Sequence, residues 1–85
     1  TQDGLGSYLR QKREALRASD ARYSIRQVAA RIDVQPSYLS KVERGLEGSP
    51  SEKTLRRLAQ DLGEDVDMLL ALGGKISSDL AQIIR

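Results

Sequence analysis

The chain has 85 residues and contains neither cysteine nor histidine, which excludes disulfides, thiol nucleophiles and the usual zinc ligands. A chain of this length forms one small domain, and with three aromatic residues, all tyrosine, its core must be aliphatic. The net charge is only +2, but residues 1–45 hold nine basic and five acidic residues, whereas residues 46–85 hold five and seven. The first half is therefore the candidate surface for an anionic partner; the alternative is that its basic residues only solvate helix surfaces.

The sequence shows no membrane or secretion signal. No apolar run approaches the roughly 20 residues of a membrane helix, and the first residues lack the charged and apolar blocks of a signal peptide. We therefore expect a soluble protein with no membrane partner.

The hydrophobic spacing predicts helices throughout and no strand, so the expected fold class is all-α. The first helix is predicted over about 6–16, where leucines recur on one face and basic residues surround them. Residues 17–22 have little periodicity and are expected to form a surface loop. Tyr23 follows this loop, and we expect its ring to enter the core.

Two short helical patterns follow, separated by one tight turn. The first spans about 24–32 and begins at Ser24, whose hydroxyl can cap it. The second spans about 36–44 and begins with a proline, whose fixed φ suits the first helical position. Asp33 lies in the turn and is a residue type that tolerates a left-handed backbone. This arrangement would hold the second helix at a set angle to the first.

The next predicted elements are a loop over 46–50 and two helices. The first of these helices spans about 52–62, with Ser51 as its cap and apolar residues at helical spacing. The second spans 66–72 and ends at a Gly-Gly pair.

The last segment, residues 73–85, is expected to be a Gly-Gly hinge and a short extra amphipathic helix. Leu80, Ile83 and Ile84 have the spacing of one apolar face, but eleven residues are too few to hold a helix in isolation. This face would pack either on its own domain or on a second subunit, as a dimerisation segment. The pattern stops at the last residue, which leaves room for a longer natural protein.

Five segments in a fixed order carry a family resemblance: Gln27–Ile32, Val34, Ser37–Gly45, Ser49–Ser51 and Thr54–Ala59. Their order and the loop length before the fourth helix resemble the Cro and phage-repressor type of helix-turn-helix domain, also called the xenobiotic-response-element family. The resemblance covers residues 5–72, with the helix-turn-helix motif at 25–44. It implies a five-helix, lambda-repressor-like DNA-binding domain, here with a short extra C-terminal helix.

The resemblance implies a transcriptional regulator, a repressor rather than an activator, that binds double-stranded DNA as a homodimer on a palindromic operator. The third helix would lie in the major groove, where the base-reading candidates are Gln35, Pro36, Ser37, Ser40 and Lys41. Gln35 and Lys41 are the strongest, because an amide can pair with adenine and an ammonium can donate to guanine. The alternative for both is a solvated helix surface.

Phosphate contacts would flank this helix on both sides. The candidates that the resemblance implies are Ser24, Arg26, Tyr38, Arg44 and Lys53. Arg10 and Lys12 are weaker candidates, since basic residues on a helix rim more often face solvent only.

The resemblance also implies a structural ion pair between Arg13 and Glu43, which would join the first helix to the third. Three positions depart from the usual pattern: Ile25 replaces a common glutamine, Asp33 a common glycine, and Pro36 a side chain that often reads sequence. Specificity therefore does not transfer from relatives.

The hypothesis of an enzyme is the weaker one, because no pair of carboxylates has the spacing of a recognisable nucleophilic or metal-binding site. We expect no catalytic residue, no metal and no cofactor. The stronger alternative is an antitoxin or adaptor of the same fold, which would bind a protein partner such as a toxin or co-regulator. The expected location is the cytoplasm, of bacterial or phage type, in association with the nucleoid.

Overall fold

Five α-helices and one 3-10 helix follow one another along residues 4–74, the part of the chain that the computed structural model describes. Their bounds are α1 Gly4–Arg17, the 3-10 helix Ala21–Tyr23, α2 Ile25–Arg31, α3 Pro36–Glu43, α4 Glu52–Leu62 and α5 Val66–Leu72. The described residues contain no strand, which confirms the predicted fold class. The extra helix predicted within 75–85 lies outside them.

Side-chain caps fix where three of the helices begin. Ser24, Ser51 and Asp65 precede α2, α4 and α5, and each accepts a hydrogen bond from the backbone N–H three residues later, at 3.3, 3.2 and 3.0 Å. The two serine caps were predicted from the sequence. Gly63 ends α4 with a φ of 72°, a left-handed conformation that glycine adopts at little cost.

The segment before α2 is more regular than the expected surface loop. Helix α1 continues to Arg17, and Asp20 then caps the 3-10 helix by accepting a hydrogen bond from the Arg22 N–H at 3.0 Å. The Tyr23 ring is only half-buried and packs at the edge of the core, and the Arg31 guanidinium lies over it at 5.0 Å from the ring centroid. An aromatic ring under a cation is stabilised while remaining partly exposed.

One aliphatic cluster forms the core, and every α-helix contributes to it. Its members are Leu9, Val28, Ala29, Ile32, Leu39, Val42, Leu55, Leu58, Ala59, Leu62, Leu69 and Leu70. No aromatic residue is fully buried among residues 4–74, in agreement with the composition. Helix α3 packs against both α1 and α2, while α4 and α5 pack against each other and against α1.

Residues 4–74 lack two kinds of feature, a membrane-spanning helix and a cluster of metal ligands. None of the helices combines the length and hydrophobicity that a bilayer crossing requires. No group of three or more carboxylates in this range is arranged to hold a metal ion.

Candidate nucleic-acid interface

The turn between α2 and α3 is set by backbone hydrogen bonds and by one left-handed residue. Asp33 has a φ of 65°, and it is the one residue other than glycine with a positive φ in residues 4–74. The Val34 N–H donates to the Ala29 carbonyl at 3.0 Å, and the Asp33 N–H donates to the Ala30 carbonyl at 3.2 Å. The turn is therefore closed on the last turn of α2, which fixes the direction in which α3 leaves it.

Two arginines tie this turn to α4, and neither contact was predicted from the sequence. Arg57 donates through Nη1 to the carbonyl of Ile32 at 3.3 Å, which satisfies a carbonyl at the end of α2. Arg31 binds the Asp61 carboxylate through Nε and Nη2, at 2.5 and 3.0 Å. The end of α2 is thus held to α4 by charge-assisted hydrogen bonds.

The predicted base readers are Gln35, which precedes α3, and four residues along α3 itself. Gln35, Pro36, Ser37 and Lys41 are exposed, and Ser40 beside them is half-buried. Gln35 is the N-cap residue of α3, but its side chain makes no capping hydrogen bond, so its amide is available to a ligand. The other side of the helix packs into the core, so the polar surface is turned outward.

An open groove brings part of α2 together with the start of α3. Ser24, Arg26 and Pro36 line it, so two of the predicted phosphate contacts lie beside a predicted base reader. Gln27 lines the same groove and is exposed, and it was not among the contacts predicted from the sequence. Its position three residues after the Ser24 cap was the available signal, since that spacing puts both on one side of a helix.

The remaining phosphate candidates differ in how far their polar groups are free. Tyr38 is half-buried with its ring against the core, and this burial, with a smaller effect of the Glu47 carboxylate, raises the pKa of its hydroxyl. Arg44 is exposed and donates to the Ser40 carbonyl at 3.4 Å. Lys53 is exposed near the start of α4.

Arg13 and Glu43 lie together in the interior between α1 and α3. The Arg13 Nε donates to Glu43 Oε2 at 2.7 Å and its Nη2 donates to Oε1 at 3.0 Å, while Nη1 binds the Tyr23 carbonyl at 3.2 Å. Only 3% of Arg13 and 8% of Glu43 is exposed. The hydrogen bonds to Glu43 raise the pKa of Arg13 above its ordinary value.

Ion pairing separates the basic residues of 4–74 into two groups. Six have a carboxylate at ion-pair distance: Lys12, Arg13, Arg22, Arg31, Arg56 and Arg57. Six do not: the main predicted DNA contacts that bear positive charge, which are Arg26, Lys41, Arg44 and Lys53, the weaker candidate Arg10, and Arg17. Lys12, a weaker candidate, is bound to Glu64 at 2.8 Å. Positive charge is thus left available at the predicted interface and is neutralised at several places elsewhere.

Comparison with known proteins places these observations in a family context. A family profile described as helix-turn-helix matches residues 9–69. Two uncharacterized HTH-type transcriptional regulators of Mycobacterium tuberculosis, from strains CDC 1551 / Oshkosh and ATCC 25618 / H37Rv, are each 37% identical over 79 residues. The alignment covers 92% of this chain and 52% of each relative, so the chain spans about half the length of the curated relatives it matches.

One solved structure resembles the whole described fold. It is a complex of the SinR protein with the SinI protein, which matches with a TM-score of 0.64 and 28% sequence identity. The match covers 95% of this chain and 75% of the other.

Proposed function

This chain belongs to the Cro/C1-type helix-turn-helix family, and we propose that it is a sequence-specific repressor that binds a palindromic operator as a homodimer. The family match and the description of the curated relatives support DNA-binding regulation of transcription. Proteins of this family are generally not enzymes. Bound to DNA, the protein would act in the cytoplasm at the nucleoid.

The observation that carries the proposal is the distribution of unpaired cations. A protein cation that binds a phosphate releases the counterions condensed on the DNA, and this release favours binding. A cation already paired with a carboxylate contributes less to this effect. Arg26, Lys41, Arg44 and Lys53 are the predicted DNA contacts that bear positive charge, and no carboxylate of residues 4–74 pairs with any of them. They lie on α2, α3 and α4, so they can contact the backbone on both sides of one groove.

Base reading would depend on a small set of side chains, from Gln35 at the N-cap of α3 to Lys41 in its last turn. Gln35 has a free amide that can pair with adenine, and Lys41 can donate to the acceptors of guanine. Ser37 and Ser40 can contact several bases, whereas Pro36 can make only an apolar contact, for example with a thymine methyl group. With so few bidentate readers, DNA shape would supply a large part of the selectivity.

The phosphate contacts at α2 would begin at Ser24. Its hydroxyl oxygen accepts the capping hydrogen bond from Gln27, which leaves the O–H free to donate to a phosphate. Gln27 lines the same groove and is added to the candidates.

The dimer is proposed because one module of this size has few contacts to offer. A single DNA-binding module buries only about 600–1,000 Å² of protein surface, and two modules on one operator roughly double this area. A two-fold dimer would place its two α3 helices about 34–36 Å apart, which predicts half-sites one helical turn apart.

Selection of bound fragments from genomic DNA with the purified protein tests the proposal. Repeated over a series of salt concentrations, it identifies the operator and gives the number of phosphate contacts from the salt dependence. We expect an enriched palindrome and a sedimentation mass on the operator that corresponds to two chains. Binding that is indifferent to sequence at every salt concentration would overturn the proposal.

A second candidate function is binding of a protein partner, as an antitoxin or adaptor. The matching solved structure contains a protein of this fold in complex with another protein. The chain also exposes Leu46, Met68 and Leu72, of which Met68 and Leu72 lie more than 25 residues after the last predicted reader, Lys41. Lys41→Ala separates the two functions, because it should reduce the site preference of a DNA reader and leave an adaptor unaffected.

A further inference from the structure

Helix α1 meets the last turn of α3 at a glycine. A Cβ at Gly6 would lie 2.5 Å from the carbonyl oxygen of Val42 and 2.8 Å from that of Glu43. Real Cβ atoms essentially never come within 3.0 Å of another heavy atom, so any larger residue would have to displace one helix by at least half an ångström. Both neighbours are backbone atoms, and a change of rotamer cannot relieve the overlap.

Local conformation does not explain a glycine at this position. Gly6 lies inside α1, and it is absent from the glycines with a positive φ. Glycine inside a helix is less favourable than alanine, so a packing reason is required. Its second α-hydrogen points toward the carbonyls of α3, a contact that recurs where two helices approach closely.

The steric requirement is specific to this glycine of α1. Gly4, two residues earlier in the same helix, would place its Cβ 4.0 Å from a side-chain carbon of Leu72, which is ordinary contact. An alanine at position 4 therefore fits, and an alanine at position 6 does not. The two positions form a matched pair for experiment.

Helix α1 also holds the end of α3 through the ion pair described above. Arg13 lies about two turns after Gly6 and binds Glu43, whose carbonyl is one of the two that face Gly6. The glycine determines how closely the helices approach, and the ion pair restrains rotation of α3 about its own axis. Together they fix the C-terminal end of a helix whose outward side carries predicted base readers, from Pro36 at its start to Lys41 in its last turn.

We propose that Gly6 is a positioning residue for DNA reading, because its lack of a side chain lets the backbone of α1 set the place of α3. The expected effect of this position on DNA binding rests on the proposed function. An eight-residue helix is short and stiff, about 12 Å long, so a displacement at its C-terminal end is transmitted to Gln35 and Lys41. A shift of this size disturbs hydrogen bonds to bases more than the less directional attraction of phosphates.

The test compares Gly6→Ala with Gly4→Ala in the full chain. Residual dipolar couplings of backbone amides report the orientation of α3 in the free protein. Titrations with the selected operator and with a random duplex report specific and non-specific affinity. We expect Gly6→Ala to change the couplings of residues 36–43, to lose about tenfold or more in operator affinity and to keep its affinity for random DNA. Gly4→Ala should match the original protein in all three measurements.

Each other outcome overturns the inference. If the residual dipolar couplings of α3 are unchanged in Gly6→Ala, the inference is overturned, whatever happens to DNA binding. The same holds if the couplings change while operator affinity is retained, or if both DNA affinities fall equally. If Gly6→Ala does not fold even in a stabilising osmolyte, Gly6 is required for the fold and not for positioning. If the original protein shows no preference for any duplex, the proposed function fails and the role in DNA reading fails with it, while the couplings still decide whether Gly6 sets the orientation of α3.

Discussion

Arg13 of α1 and Glu43 of α3 form a two-point ion pair that is almost completely removed from solvent, with N–O distances of 2.7 and 3.0 Å. Removing one member of such a pair leaves the other charge buried without its partner, which is costlier than the loss of an exposed pair. The pair therefore links the stability of the domain to the position of its third helix.

Glu43→Ala should lower both thermal stability and DNA affinity. We expect a loss of about 3 kcal/mol in the free energy of unfolding, and a fall in Tm on the order of 10 °C for a domain of this size. Thermal unfolding followed by circular dichroism measures the first effect, and operator titration below the new Tm measures the second. Glu14→Ala is the control, because Glu14 also contacts Arg13 but its side chain is 48% exposed. Full stability with normal affinity in Glu43→Ala would contradict this role of the pair.

Lys41→Ala and Lys53→Ala should separate base reading from phosphate binding. Lys41 is a candidate reader, so its removal should reduce discrimination between the operator and operators changed at one base pair, by about 1–3 kcal/mol. Lys53 is a candidate phosphate contact, so its removal should weaken binding to all sequences and lower the salt slope by about 1. Binding isotherms at several salt concentrations measure both. Equal losses on every sequence for Lys41→Ala would assign Lys41 to the phosphates instead.

Substitutions of Asp33 should reveal the left-handed backbone of the turn. Asp33→Val should cost about 1–2 kcal/mol, because a β-branched residue is strained at positive φ. Asp33→Gly should change stability by less than about 1 kcal/mol, since relief of the strain is offset by the greater freedom of glycine in the unfolded chain. The Arg57 contact that both variants lose is 3.9 Å long and exposed, so it contributes little. Urea denaturation gives both values, and equal effects of valine and glycine would argue against strain.

Acid should destabilise the fold in part through Glu64. Hydrogen bonds from Lys12 and Tyr8 hold the pKa of Glu64 below its ordinary value of 4.5. A carboxyl group whose pKa is lower in the folded state stabilises the fold above its ordinary pKa, and this contribution is lost as the pH falls through the folded-state pKa. Glu64→Gln should therefore lose less stability than the original protein on acidification below about pH 4.5. Tyr8→Phe removes one of the two hydrogen bonds and should give an intermediate result; urea midpoints across the pH range measure all three proteins.

A second carboxyl group should extend the loss of folding stability in acid to lower pH. Asp20 accepts hydrogen bonds from the side chain and the backbone N–H of Arg22, and these lower its pKa from 3.8 to about 2. Its contribution should be present above pH 3.8 and should disappear as the pH approaches 2. Asp20→Asn should flatten the pH dependence in that lower window and leave the region near pH 4.5 unchanged. A flattening confined to the higher window would contradict the assignment.

The helices could be predicted from the sequence because their signals are local. Ser24, Pro36, Ser51 and Gly63 act through their own backbone or through a group three residues away, and the buried positions follow from helical periodicity. The structure moves the predicted ends of α2 and α3 inward by one residue, since Ile32 and Arg44 are the capping residues.

The contacts between helices could not be predicted from the residues alone. The Arg57 bond to Ile32 joins positions 25 residues apart and the Arg31 bond to Asp61 joins positions 30 apart, so both depend on where the tertiary fold places α4 relative to the end of α2. The Arg13–Glu43 pairing came only from the family resemblance, which supplied the long-range information. At the candidate interface, exposure and unpaired charge are visible in the structure, whereas which bases are read remains a prediction.

On α3, the residues that face outward and the residues that hold the helix in place are different residues. Gln35, Ser37 and Lys41 are exposed, while Leu39 and Val42 are in the core. Exchange of the outward residues would leave the buried contacts of α3 in place, since it opens no cavity and leaves no charge buried. Under the proposed function, the DNA target could therefore change by few mutations that do not touch the core.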